Sequence, residues 1–501
     1  MTRKIIVILL ALLMILPIVS ACGKGGSDPK QETKGTETAG ATVTADDGEN
    51  AEIDAYVAEL AASSDTAGRS FTYVGRSSDN FPTKDQETGD IKSDAVYYRQ
   101  RDIVELFGVS WEPVITDNGD DTKERVINEV TAGGDSFDLV YGNIITVSQH
   151  LLNAGVILRV DTIDTIDLDR EWWVQSLRDT YSIKGKLFFL RGPITVESFV
   201  DTSCMLFNKT VAAMFPEITD DELYSLAKDG KWTLDEMERI AAYVPENPTG
   251  AGIYRYGNVD SVQLIFSTGQ TITKFDEDGA PTIEKTLPIE LQDLSQRTVS
   301  IFGDNSQTPY VNYKLGEEKE TKYKVDKDYD WFTDNKALFS FASTGSAIDL
   351  RKYDVVFGIL PCPKGSVTQQ QYYSYADPWG SGSITIPKTT KSREVTATIT
   401  EAMAALSQKY IKSAYYDMIL RGQSIFDMES RDMLDIIFKT TVYDMVDIYS
   451  GGDMNQWGPF MSAISYCTSY DNSSFASEYS ANARVTQFNI KQLLKVVDAQ
   501  E

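Results

Sequence analysis

One histidine and four cysteines serve a chain of 501 residues. The single imidazole excludes multi-histidine zinc sites and the H-E-x-x-H peptidase pattern. His150 stands in VSQHLLNAG beside Leu151 and Leu152, which reads as a helix surface and not as a triad member. No cysteine pair has C-x-x-C spacing. Cys204, Cys362 and Cys467 are an odd number, so at least one thiol stays unpaired, and their apolar surroundings suit small core residues. The chain also lacks G-x-S-x-G, G-x-x-x-x-G-K-[ST] and G-x-G-x-x-G. Asp326, Asp328 and Asp330 alternate as in a calcium loop, but Trp331 stands where glycine is needed and Ala337 where glutamate is. Ser78-Asp79-Asn80 and Ser225 to Lys228 occur in the wrong order for the penicillin-recognising set, and no K-T-G closes it. These absences leave no catalytic residue, metal or cofactor to expect.

Positive charge is scarce: 47 Lys and Arg against 74 Asp and Glu give a net charge of −27. Such a surface disfavours nucleic acid and anionic lipid as partners, although one local site can oppose the global field. Long apolar runs are scarce too. Ile5 to Val19, after Arg3 and Lys4, falls short of the ~20 residues that span a bilayer. It reads as an export signal over 1–21. Val19-Ser20-Ala21-Cys22 resembles a bacterial lipobox. The resemblance implies a diacylglyceryl group on Cys22 with a further acyl chain such as palmitate, because one chain holds weakly, on the order of 10⁴ M⁻¹. The protein is then expected at the extracellular face of the cell membrane, touching it through the lipid only. The competing reading is an ordinary signal peptide with a chance cysteine.

Residues 22–50 are mostly Gly, Ser, Thr, Lys, Asp and Glu without an aromatic, which predicts a flexible leash reaching roughly 30 Å. Residues 51–62 then place Ile53, Tyr56, Val57 and Leu60 on one helical face, a short docked helix. Hydrophobic residues at 42% supply cores for roughly two or three domains. Phe71 to Val74 predicts a buried strand, 94–107 a helix, VSWEPVI a strand, TKERVINEVTAG a helix and FDLVYG a strand. Alternation of this kind implies a mostly parallel α/β sheet. FDEDGAPTI predicts a hairpin turn at Gly279, and Thr233 to Glu236 a capping box. IKGKLFFLRGPITVE suggests another hairpin. YDVVFGILPCPK and GSGSITIPK are strands stopped by proline, and the chain after Ser392 is largely helical.

GDSFDLVYG, LLNAGVILRVDTI, WWVQSLRDTYSIKGKLFF, DTSCMLFNKTV, LYSLAKDGKWTLDEM, NKALFSF, YDVVFGILPCPK and SGSITIPK follow one another in this order. Together, over about Phe71 to Lys439, they resemble the family 1 extracellular solute-binding proteins, receptors of carbohydrate ABC importers. The resemblance implies an α/β fold of two lobes joined by a multiply crossed hinge, with the ligand in the cleft. It places lobe one at 65–195 plus 378–425 and lobe two at 196–377 plus 426–501. It implies a monomer that binds a sugar or oligosaccharide and partners ABC importer permease subunits.

Sugars need flat rings for their C–H faces and carboxylates or amides for their hydroxyls. Tyr141 and Asn143 end a strand and are expected to point to the cleft. Glu197 and Asp201 flank the first crossing, near Gly192 to Val200. Asp377 and Trp379 stand at the return, where Trp379 is the one large apolar group of YADPWGSGS. Trp172 and Trp173 cannot share a helix face, so one is expected in the core and Trp173 over the cleft. Thr344, with Ser343 and Ser346, follows NKALFSF where the family carries a ligand loop. Asp79 and Asn80 follow the first strand, and Trp457 is a weaker candidate. Three other functions compete: a receptor for a peptide or polyol, a secreted glycoside hydrolase, and a structural lipoprotein. With 74 acidic residues, carboxylate pairs have no diagnostic weight, and the absence of repeats argues against the structural reading.

Overall fold

The computed structural model describes residues 47–76, 87–244, 251–254, 259–302, 311–312, 330–378, 380–421, 428–449, 462–464, 467 and 473–500. All belong to one compact unit, Val43–Glu501. Its strands are β1 (Ser70–Arg76), β2 (Ser110–Thr116), β3 (Leu139–Asn143), β4 (Ser203–Asn208), β5 (Ala251–Tyr254), β6 (Thr273–Phe275) and β7 (Pro281–Ile283). After these come β8 (Val311–Asn312), β9 (Ala337–Ser343), β10 (Phe357–Leu360), β11 (Ser374–Tyr375), β12 (Gly382–Thr385) and β13 (Thr441–Val442).

The first sheet runs β12-β3-β1-β2. β1 is parallel to β2 and β3, and β12 is antiparallel to β3, with Gly382 opposite Asn143. The helices Ile91–Phe107 and Gly119–Thr131 connect the parallel strands, as the strand–helix alternation predicts. Their ends follow from sequence. The Asp90 side chain accepts from the Ser93 N–H, and Gly108 closes the helix at φ 62°. Asn118 caps the second helix through the N–H groups of Asp120 and Asp121. β1 is buried on both faces from Phe71 to Gly75, which suits its near-continuous apolar run.

The second sheet runs β10-β4-β9-β5-β8. Period-two alternation divides β4 between two cores. Met205 and Phe207 pack with Leu223, Trp232 and Met237 on one side. Cys204 and Leu206 pack with Tyr415, Leu434 and Ile437 on the other. Thr233 accepts from the Glu236 N–H at the start of the helix Leu234–Ala241, the capping end expected there. β6 and β7 form the expected hairpin, with Gly279 at φ 73°. Cys204, Cys362 and Cys467 are all buried, as small core residues are.

Chain passes between the sheets at 191–203, at 376–382 and after the helix Arg393–Ser407, which lies against the helices Asp47–Ala62 and Ile91–Phe107. The helix Asp47–Ala62 buries Ile53 and Val57, as their spacing predicts, and begins inside the stretch expected to be leash. Two helical segments bridge the expected lobes. Ile411 to Met418 pack between the helix Ile91–Phe107 and the core of β4, β9 and β10. The helix Phe475–Asp498 packs on β7 and buries Phe475, Tyr479, Ile490 and Leu493 in the cluster that also holds β1 and β3. An amphipathic stripe states that a face is buried, not which sheet buries it.

Candidate functional site

A cavity of about 570 Å³ opens where the two sheets meet the crossings. Lys92, at the start of the helix Ile91–Phe107, lines one side. Glu197, Val200, Asp201 and Ser203 of the first crossing form its floor. Ser343, Ser346 and Asp349 follow β9 on the other side, and Asp377 and Gly380 belong to the second crossing. Phe341, Tyr375 and Met418 supply the apolar wall. The Tyr375 ring is stacked on Phe266 at 4.3 Å, which fixes it.

Backbone bonds knit the floor. The Asp377 N–H donates to the Asp201 carbonyl at 3.0 Å, and the Thr344 N–H to the Thr202 carbonyl at 2.8 Å. Beneath them lies a buried ion pair. Arg191 Nη2 donates to both Asp201 carboxylate oxygens, at 2.7 and 2.6 Å, and to the Ser198 carbonyl at 3.0 Å. Ser381 Oγ also donates to the carboxylate. Burial opposes the Arg191 charge, but the Asp201 carboxylate outweighs it and raises the guanidinium above its ordinary pKa. One charge at the floor is therefore already neutralised.

Lys92 Nζ donates to Glu197 across the cavity. Both side chains are about a quarter exposed, 26% each, so solvent screens this pair far more than the buried one. Gln263 donates to the Ala342 carbonyl at 3.3 Å, while its Oε1 is buried with no partner among the described residues. An acceptor left so in a cavity calls for a donor from whatever enters it.

Of the expected site residues, the structure brings Glu197, Asp201 and Asp377 to this cavity, and Ser343 and Ser346 with them. The Asp201 carboxylate there is already held by Arg191 and Ser381. Tyr141 is buried in the first sheet, and its hydroxyl meets Thr195 Oγ1 at 2.9 Å. Asn143 caps the turn that follows β3, accepting from the Thr146 N–H at 2.6 Å. The Thr344 hydroxyl turns away and donates to the Phe199 carbonyl.

Trp172 and Trp173 are both buried, because they sit in a turn and not on a helix, so adjacency does not separate them. Their indole N–H groups donate to the two oxygens of Glu401, each at 2.9 Å. Tyr56 Oη adds a third donor at 3.2 Å. Burial outweighs these bonds and pushes the Glu401 carboxyl up to about 7. Cys22, Asp79, Asn80, Trp379 and Trp457 lie outside the described residues.

Sequence reasoning missed Lys92 and Gln263. Gln263 had a signal, as the one polar residue of VQLIF; Lys92 had none beyond following the helix cap.

The chain matches no protein-family model, and no curated protein matches it by sequence. Solved structures do match in fold. A cyclo/maltodextrin-binding protein complexed with maltotetraose is similar at TM-score 0.54 and 13% identity, covering 88% of this chain and 100% of that one. An extracellular solute-binding protein from Staphylococcus aureus in complex with maltose gives 0.53 and 12%, covering 86% and 100%. A sugar transporter from Rhizobium etli in an open conformation gives 0.52 and 14%, covering 86% and 100%. The fold is thus the two-lobed α/β fold of these binding proteins.

Proposed function

We propose that this chain is a solute-binding receptor. It captures a sugar or oligosaccharide between its lobes and passes it to the permease subunits of an ABC importer. One observation carries the reading. A cavity of small-ligand size lies among both sheets and two crossings, with hydrogen-bonding groups beside an apolar wall. Closing the lobes about the crossings encloses a bound molecule, so affinity comes from burial and not from covalent chemistry. The fold neighbours, two of them solved with maltose or maltotetraose, support a saccharide ligand. The lipobox-like Val19 to Cys22 supports a lipid anchor outside the cell.

Calorimetric titration of the mature chain with mono- and oligosaccharides, maltotetraose among them, tests this. Saturable one-to-one binding without turnover is expected, with a smaller radius of gyration in solution scattering. Hydrolysis of a glycoside overturns the receptor reading. Binding of a peptide or polyol, with no saccharide bound, keeps the receptor and replaces the ligand class. Cys22→Ala should move the protein from membrane to medium or leave an unprocessed precursor; acylated, correctly cut product in that variant refutes the anchor.

A further inference from the structure

Behind the first crossing lies a second cavity, of about 520 Å³, that shares no lining residue with the first. The crossing is divided between them. Glu197, Val200, Asp201 and Ser203 line the first cavity, while Ser198, Phe199 and Thr202 line the second. The Arg191–Asp201 pair spans the wall, with its guanidinium on the rear side. A volume of this size is within the range of small-molecule sites.

The rear walls are rich in aromatic rings: Trp172, Trp173, Phe199, Tyr416, Phe438 and Tyr443. Several are held in place. Glu401 fixes both indoles, Tyr416 donates to Asp435 at 2.6 Å, and the Tyr443 ring lies over Arg191 at 5.6 Å. Two hydroxyls among the lining residues, Tyr443 Oη and Ser198 Oγ, are buried with no hydrogen-bond partner among the described residues. Tyr443 is only 3% exposed. An unmet buried hydroxyl is costly, and a small turn of the side chain lets either one reach a molecule in the cavity.

We propose that this rear cavity is a second ligand site, for a small, flat, uncharged aromatic or heteroaromatic molecule with one or two hydrogen-bonding groups. The chemistry of the walls selects that class. Rings favour stacking against a planar body. Ser198 and Tyr443, with Gln175, Ser176, Gln408 and Thr441 of the same lining, can meet the hydrogen-bonding groups at its edge. Charge selects no ion, because Arg191 is neutralised by Asp201 and the rest of the lining holds two lysines, Lys412 and Lys439, and two carboxylates, Glu171 and Asp435. The assignment does not depend on what the first cavity binds.

Fluoroindole added to the mature chain and followed by fluorine NMR tests it. Saturable one-to-one binding is expected, weakened about fivefold by Tyr443→Phe, the effect of one hydrogen bond. Ser198→Leu, which adds apolar bulk at the crossing wall, should weaken it, and Gln263→Ala in the first cavity should leave it unchanged. Melting curves establish that each variant is folded; should Ser198→Leu fail to fold, Tyr443→Phe decides alone. No saturation with the unsubstituted protein overturns the proposal. So does equal affinity in Tyr443→Phe, or loss of binding in a folded Gln263→Ala variant.

Discussion

Asp201 and Glu401 are both buried carboxylates that join segments far apart in sequence, and their surroundings stabilise them differently. Asp201 faces a guanidinium and ties the first crossing to Ser381 of the second. Among the described residues no cation donates a hydrogen bond to Glu401. It is held by two indoles and a phenol, and it ties the helix Asp47–Ala62 and the turn at 172–173 to the helix Arg393–Ser407. A paired charge stays charged when buried. A charge met only by neutral donors remains costly, and its carboxyl rises toward neutrality. The crossings are thus joined by an ion pair, and the first helix by a bond sensitive to pH near neutrality.

Removing Arg191 breaks the comparison most sharply. Arg191→Met leaves Asp201 buried and unpaired, and a loss of about 3–5 kcal/mol in folding stability is expected from chemical denaturation. Adding Asp201→Leu should restore much of it. A double variant as unstable as the single one would show that the pair is not the unit that matters.

Glu401 sets the next effect. Its carboxyl lies at about 7 against an ordinary value near 4.5, so the folded state binds the extra proton between those values. Stability from this group is fully present below about 4.5 and is lost as pH rises through 7. The melting temperature should therefore fall between pH 5 and pH 8. Asp138 and Asp444, also raised by burial, act in the same direction. Glu401→Gln should flatten the fall without removing it. At pH 5 the same change should cost about 1–3 kcal/mol, because an amide nitrogen cannot accept from the second indole. An unchanged pH profile in that variant would place the sensitivity elsewhere.

The smallest expected effect belongs to Tyr56→Phe. It deletes one half-buried hydrogen bond, worth about 0.5–1.5 kcal/mol. Amide exchange should quicken in the helix Asp47–Ala62 and hardly elsewhere. Uniform quickening would mean that this helix does not open separately.

What was legible in the sequence was local or periodic. The strands around Phe71 and Leu139, the Thr233 cap and the Gly279 turn each depend on a few neighbouring residues. The crossing at Glu197 and Asp377 was found through resemblance. What each side chain does there was not legible. Tyr141 and Asn143 lie in a strand buried throughout, where alternation does not tell the cleft face from the core face. Nothing near Trp172 and Trp173 in the sequence points to Glu401. That Asp201 is bonded to Arg191 was not legible either, since no sequence pattern tells a carboxylate held by an internal arginine from one open to a ligand.

The pairing of β12 with β3 bears on the order in which the protein can be completed. Gly382 meets Asn143 only after the whole second sheet has been synthesised between them. Until then β3 presents an open edge, with backbone groups able to pair with another chain. The helix Arg393–Ser407, which covers the first sheet's helices, arrives later still. A nascent chain that pauses before residue 382 therefore exposes an unfinished sheet, the state most prone to misassembly. For this topology the vulnerable interval is set by the pace of synthesis, not by the stability of the finished fold.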